Sequence, residues 1–385
     1  MAFLGGLSGL ASLNGLNGLN GLNGLNGLNG LNGLNGLNGL IGPAASFAEP
    51  SAVVTTHDGI SGAWEDPSVS ARQPDFDRPE NLRLWGPAFR AHTLDASLFT
   101  ELTFATSGPR QRMLTLFHVE RRSTSSGIEC SHLPVISIRS PETDYFRTEQ
   151  LRLVAGYAAL RSDRLHEILA QIAVPLGFIG SVAFLSDTRT PRTIELLMAA
   201  YRLAVLVEMR FKHAFATPRP IDFSPQIQPV IPTPLHGAFP SGHATEMFVM
   251  ARVLSALLAD AGGNFSGPRW KEQLMRLASR VAVNRTVAGV HFPIDSVAGC
   301  ILGFCLGDYL VRRCKVDPSD NRQWTFDGEA FASESETHDF EWAKLEHAMS
   351  DASAAAPGLS GAAADAPAPA PILAGLWAAA VAEWK

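Results

Sequence analysis

Apolar positions recur three and four apart through most of the chain after residue 143. Over residues 143–169, Phe146, Leu151, Leu153, Val154, Tyr157, Leu160 and Leu165 are set among charged residues, which predicts an amphipathic helix of several turns. Residues 168–186 form an uncharged run of 19 residues interrupted by Gln171, Pro175, Gly177 and Gly180, which reads as a buried hairpin or broken core helix. Pro191 opens a helix over 193–215 whose apolar face is Leu196, Leu197, Ala200, Leu203, Ala204 and Val207. Further helices are predicted over 244–258, over 269–284 through Trp270, Leu274, Leu277 and Val281, and over 296–309. Before residue 143 the pattern is mixed. Residues 80–87 and 106–112 read as loops, and 113–120 and 133–139 as short strands or extended packing arms. After residue 316 the chain turns polar, with a helix over 338–349, an Ala/Pro/Gly linker over 354–371 expected to be disordered, and an apolar end, 372–384, that docks on the body or on a partner. The whole predicts an all-α fold, a helical bundle with a long irregular N-terminal extension. Four regions follow: a low-complexity Asn-Gly-Leu segment 1–42, an extension 43–142 packing on the core, a helical bundle 143–316 that carries the candidate chemistry and an acidic, Ala/Pro-rich tail 317–385.

Composition adjusts this picture at the ends. From Asn14 the triplet Asn-Gly-Leu repeats nine times, a period that fits neither helix nor strand. No Lys or Arg precedes Arg72, so the charged start of a secretory signal is missing, and the Asn in each triplet argues against a membrane span. The final predicted core helix holds 12 residues between Asp295 and Asp308, short for a span. A soluble protein is expected, with the cytoplasm favoured and a homo-oligomer compatible with the repeat. The net charge of −6 gives no general attraction to nucleic acid, so any anion site must be local. Cys130, Cys300, Cys305 and Cys314 make no CxxC pair and read as buried free thiols.

The candidate chemistry lies in three separated pieces. Lys212 stands at the end of a predicted helix, and Pro218 and Pro220 stiffen the stretch that carries Arg219. After a long Pro-rich connection, Pro240-Ser241-Gly242-His243 opens the next helix. Ser241 is the N-cap, and the first-turn N–H groups of Gly242 and His243 suit an anion. Arg285 then precedes His291, and Asp295, four residues on, can accept from one imidazole nitrogen and so present the other outward. Three cations, two histidines, a serine and a helix start suit an oxyanion with oxygens on every side.

In this order and at these spacings, Lys-x6-Arg-Pro, Pro-Ser-Gly-His and Arg-x5-His-x3-Asp resemble the three signature motifs of the superfamily joining type 2 phosphatidic acid phosphatases, bacterial acid phosphatases and vanadium-dependent haloperoxidases. The resemblance implies an α-helical bundle of that type with its active site at one end. It implies that Lys212, Arg219 and Arg285 neutralise the equatorial oxygens of a bound phosphate or vanadate. Ser241 and the Gly242 amide would add neutral donors, His243 would act as acid–base, and His291, oriented by Asp295, would bond to phosphorus or vanadium. Ala244-Thr245 after the His resembles haloperoxidases, and His236, five residues before Ser241, resembles the second His of the bromoperoxidases of this superfamily. His291-Phe-Pro-Ile-Asp295 is closer to the membrane phosphatases. The resulting expectation is a vanadium-dependent haloperoxidase that uses vanadate and hydrogen peroxide to oxidise a halide, bromide or iodide, with hydrolysis of a phosphate ester through a phosphohistidine as the alternative. A non-catalytic oxyanion-binding or assembly protein is the third reading.

Overall fold

In a computed structural model of the chain, residues 56–57, 59–66, 75–108, 111–316, 321–351 and 353–385 are described. The Asn-Gly-Leu repeat and the whole of region 1–42 lie outside them. The chain divides into two compact units, one ending at Ala88 and one from Phe89 to Lys385. The first contributes a 3-10 turn over Pro79–Leu82, inside a segment expected to be loop. The second carries everything that follows.

The all-α expectation is overturned by a five-stranded mixed sheet in the order β1-β2-β3-β4-β5. After helix α1 (Pro87–Phe99) come β1 (Leu102–Thr106), β2 (Met113–Thr124) and β3 (Gly127–Arg139), an antiparallel meander. Its cause is a period of two: Leu114, Leu116 and His118 on β2 are buried between less buried neighbours, and Ile136 and Ile138 on β3 join them. The fourth and fifth strands, β4 (Arg322–Asp327) and β5 (Leu359–Ala363), come from the other end of the chain. β4 runs parallel to β3, with Ile136 opposite Trp324 and Ile138 opposite Phe326, and β5 pairs antiparallel with β4. The supposed disordered linker therefore holds a paired edge strand.

Between β3 and β4 lies the bundle. A helical run from Thr143 to Ala170 is regular in α2 (Leu151–Tyr157) and α3 (Arg161–Ala170), with a π turn over Phe146–Gln150 and a 3-10 turn over Ala158–Leu160. The apolar stretch that follows breaks as its Pro and Gly residues require, leaving only the short α4 (Leu176–Val182). Then come α5 (Pro191–Phe215), α6 (Gly242–Ala261), α7 (Pro268–Val287) and α8 (Pro293–Cys314). Beyond β4 the tail adds α9 (Gly328–Glu334), α10 (Trp342–Ser350) and, after β5, α11 (Pro371–Ala382).

The helix α8 is the centre of the core, and at 22 residues it is longer than the 12 apolar residues expected. By length and composition it could cross a membrane, and 94% of its most apolar window is buried inside the protein. Gly299, Gly303 and Gly307 recur every four residues along it, making one face. A Cβ at Gly299 would lie 2.6 Å from Ser241 O, and one at Gly303 would lie 2.7 Å from Phe248 Cβ. Their missing side chains let α6 lie directly on α8, which brings Ser241 close to the start of α8. At the other end of the bundle, the Glu383 carboxylate accepts from Arg192 N, Thr193 N and Thr193 Oγ1 at 2.7–2.8 Å, satisfying first-turn donors of α5. Trp384 Nε1 donates to Thr193 Oγ1, so the apolar C-terminal end docks on the bundle itself. Cys300, Cys305 and Cys314 are buried free thiols as expected, whereas Cys130 on β3 is exposed.

Candidate active site

One end of the bundle collects the motif residues, and local chain geometry sets each one. The helix α5 stops at Ala216, whose left-handed backbone (φ 49°) returns its N–H to Lys212 O. Lys212 is left one turn inside the helix end, and Nζ donates to three carbonyls of the following loop, Gly237 O, Ala238 O and Pro240 O, at 2.5–3.3 Å. Arg219 is held extended between Pro218 and Pro220, with its N–H on the Asp222 carboxylate at 2.8 Å. Loop residue Phe239, joined to Pro240 by a cis peptide, packs among Phe146 and Phe215 and so anchors the chain just before Ser241. Ser241 caps α6 as expected. Its Oγ accepts from Ala244 N at 3.5 Å and its N–H donates to Asp295 O at 2.8 Å, tying the start of α6 to the start of α8.

Four of the predicted residues form a continuous chain of hydrogen bonds. His291 Nδ1 donates to Asp295 Oδ2 at 2.9 Å, and that oxygen also accepts from Phe292 N at 2.9 Å. The opposite nitrogen, Nε2, accepts from Arg219 Nη1 at 3.1 Å. The other guanidinium nitrogen, Nη2, donates to His236 Nδ1 at 3.1 Å, while Nε and Nη1 hold His236 O and Val290 O. One tautomer of His291 satisfies both of its contacts: proton on Nδ1, lone pair on Nε2.

The remaining residues form a second group. Arg285, in the last turn of α7, donates through Nη2 to Ile168 O at 3.1 Å and Gln171 Oε1 at 3.4 Å, and its buried Nε has no partner. His243 Nε2 donates to Gln171 O at 3.0 Å, and its Nδ1 stands 3.8 Å from Glu246 Oε2. Arg285 is bonded to the Gln171 region, not to His291. Arg219 and Lys212 act on the His291 charge, and Arg285, then Lys212, on His243.

Burial and positive neighbours keep the imidazoles neutral. His291 is held well below the usual histidine range by burial first, then by Arg219 and Lys212. His243 falls to about 3 through burial and Arg285, and His236 to about 4 through burial, Lys212 and Arg219. Asp295, fully buried, is pushed up to about 7 by desolvation, which outweighs the Phe292 N–H and the two cations. Lys212 drops to about 8, mainly by burial, with Glu208 opposing.

Three residues of this site were not anticipated. Gln171 appears in the sequence only as a polar interruption of an apolar run, yet it bridges Arg285 and Asn284 through its side chain and His243 through its backbone. Glu208 and Glu246 are buried carboxylates on α5 and α6, one turn before Lys212 and one turn after Gly242. The available signal was an acidic residue on an otherwise apolar face: Glu208 follows Leu203, Ala204 and Val207 on the buried stripe of α5.

Residues 194–315 match the PAP2 superfamily, a range that takes in all three motifs and leaves out β1–β5 and α9–α11. An undecaprenyl-diphosphatase from Sulfolobus acidocaldarius is 29% identical over 30% of this chain and 52% of its own length. A vanadium-dependent bromoperoxidase from Ascophyllum nodosum is 32% identical over 18% of this chain and 16% of its own. The chain thus spans about half or less of the curated relatives it matches. Among solved structures, a transmembrane PAP2-type phosphatidylglycerolphosphate phosphatase from Bacillus subtilis shares 21% identity over 41% of this chain and 73% of its own, at a TM-score of 0.26. The motif residues gathered at one end of the bundle all lie inside residues 194–315, the range that matches the PAP2 superfamily.

Proposed function

We propose that this protein hydrolyses phosphate esters, with His291 Nε2 as the nucleophile that takes the phosphoryl group. The observation that carries the reading is the fixed tautomer of His291: Nδ1–H on Asp295 and an unprotonated Nε2 facing the Arg219 guanidinium. A phosphate entering here takes over the Arg219 N–H that Nε2 now accepts, so the cation moves its bond to a phosphoryl oxygen while the lone pair turns to phosphorus. As the N–P bond forms, the imidazole becomes cationic, and the Asp295 carboxylate stabilises that charge. The bond to the ester oxygen breaks, the alkoxide takes a proton from solvent water on the His243 side of the site, and water then attacks the phosphohistidine, releasing phosphate and returning His291 to its starting state. Lys212 and the Gly242 end of α6 stabilise the phosphoryl charge, each charge-assisted contact contributing about 1.5–3 kcal/mol. The preference for hydrolysis also draws on the diphosphatase relative, whose similarity extends over more of this chain than that of the bromoperoxidase.

A second reading, oxidation of bromide or iodide, is favoured by His236, which the Arg219 guanidinium ties into the site. The donor set fits vanadate as it fits phosphate, including the partnerless buried Nε of Arg285. His291 would hold it, with Lys212, Arg219 and Arg285 balancing its charge. Bound there, vanadate supplies a Lewis-acid centre that activates hydrogen peroxide. The two readings separate in a paired assay: a chromogenic phosphate monoester without vanadate, against vanadate, peroxide and bromide with a halogen-accepting dye. Ester hydrolysis that disappears in His291→Ala is the expected result. Dye bromination without ester hydrolysis reverses the order.

A further inference from the structure

Glu208 and Glu246 have no place in the chemistry above, and both sit inside the oxyanion cradle. Glu208 is 4% exposed and Glu246 7%, on facing helices. The Glu208 carboxylate presses on the start of α6, with Oε1 2.5 Å from where a Gly242 Cβ would stand, and its buried Oε2 has no hydrogen-bond partner. Among the described residues, Glu246 has no Lys or Arg within ion-pair distance, and its one such neighbour is His243 Nδ1 at 3.8 Å. Lys212, one turn after Glu208 on α5, has its donors on three loop carbonyls. Two buried carboxylates with no Lys or Arg at ion-pair distance among the described residues, set against a helix start that suits anions, oppose the binding of the anion the rest of the site is built to hold. The conflict disappears when they carry protons.

We propose that oxyanion binding at this site is coupled to proton uptake by the Glu208–Glu246 pair, so that the pocket fills with a dianion only as these carboxyls become neutral. The proposal rests on the oxyanion-site reading and specifies how that site is regulated. The proton comes from solvent and leaves with the anion, so no bond to phosphorus is involved. The groups facing the pair are Tyr201 and Lys212 on α5, Arg219 on the loop, His243 on α6 and Arg285 on α7. Burial pushes Glu208 well above the carboxylate range, with Glu246 adding to the shift, and burial lifts Glu246 to about 7 against Lys212 and Arg285. An anion placed among the same cations raises both further. A phosphatase so equipped binds its substrate more tightly as pH falls through neutrality, and releases phosphate as pH rises.

The probe is tungstate, a tetrahedral dianion that does not itself titrate over about pH 6 to 9, measured by titration calorimetry in two buffers of different ionisation enthalpy. Wild-type protein is expected to take up about one proton per tungstate near pH 8, with affinity weakening by up to tenfold per pH unit above about 7. In Glu208→Gln/Glu246→Gln the uptake falls towards zero and affinity at high pH exceeds wild type, while each single variant falls between. Uptake unchanged in the double variant assigns the proton to Lys212 or an imidazole and overturns the proposal. So does a pH-independent affinity without uptake in wild type, a result that needs no variant to fold. No tungstate binding at any pH removes the oxyanion site itself, and the coupling with it.

Discussion

The two histidines of the site are held in opposite ways. His291 is fixed through both ring nitrogens, by the Asp295 carboxylate at 2.9 Å and the Arg219 guanidinium at 3.1 Å, so its tautomer and its direction are set before any ligand arrives. His243 is fixed through Nε2 to the backbone of Gln171, and its Nδ1 looks across 3.8 Å to a carboxylate. On the proposed reading, the His291 half of the site is preorganised for bonding to phosphorus. In the other half burial acts on the two groups in opposite directions, lifting Glu246 to about 7 and pressing His243 to about 3. The two histidines thus stand at different helix ends, the starts of α8 and α6.

Breaking the first half has the largest expected effect. In Asp295→Asn the side chain keeps its shape and loses the charge that stabilises a cationic imidazole, so phosphate-ester turnover should fall by about 10²- to 10³-fold. The pH profile sharpens the assignment. Asp295 titrates near 7, and below that its protonated form no longer draws the imidazole proton to Nδ1. At saturating ester, wild-type kcat should therefore decline as pH falls through about 7, and in Asp295→Asn this acid limb should vanish. Arg219→Lys comes next. An ammonium cannot span His291, His236 and an oxyanion as the guanidinium fork does, so a loss of about 10²-fold in kcat/KM for the ester is expected. The smallest effect concerns the distance between the halves. A Cβ at Gly299 would meet Ser241 O at 2.6 Å and Ala244 Cβ at 2.8 Å, so Gly299→Ala must push α6 off α8. Thermal unfolding should show a loss of about 1–3 kcal/mol, with kcat falling more than it would for a comparable change at Gly156, which has open space around it.

Half of this arrangement was legible in the sequence because it is local. Helix periods, the Ser241 cap and the His291–Asp295 spacing each depend on residues within a turn or two, and the structure places them together as read. The sheet was not legible as a sheet. Its first strands alternate clearly over Leu114, Leu116 and His118, but the partner of Ile138 is Phe326, and no local pattern announces a pairing across so much chain. The same limit hid Glu208 and Glu246. Each is one acidic residue on a helix, and only the packing of α5 on α6 turns them into a facing pair. Arg285 was read as a ligand for the group on His291, and the reach of its side chain toward Gln171 was likewise invisible without the fold.

The central claim is that Nε2 of His291 bonds to phosphorus. Rapid acid or base quench of wild-type protein turning over a phosphate ester labelled in its phosphoryl group tests it most directly. The account predicts an acid-labile, base-stable phosphoryl adduct that maps to His291 and is absent from His291→Ala, which also loses turnover by about 10³-fold or more. Steady turnover in His291→Ala, or an adduct that maps to another residue, would contradict it.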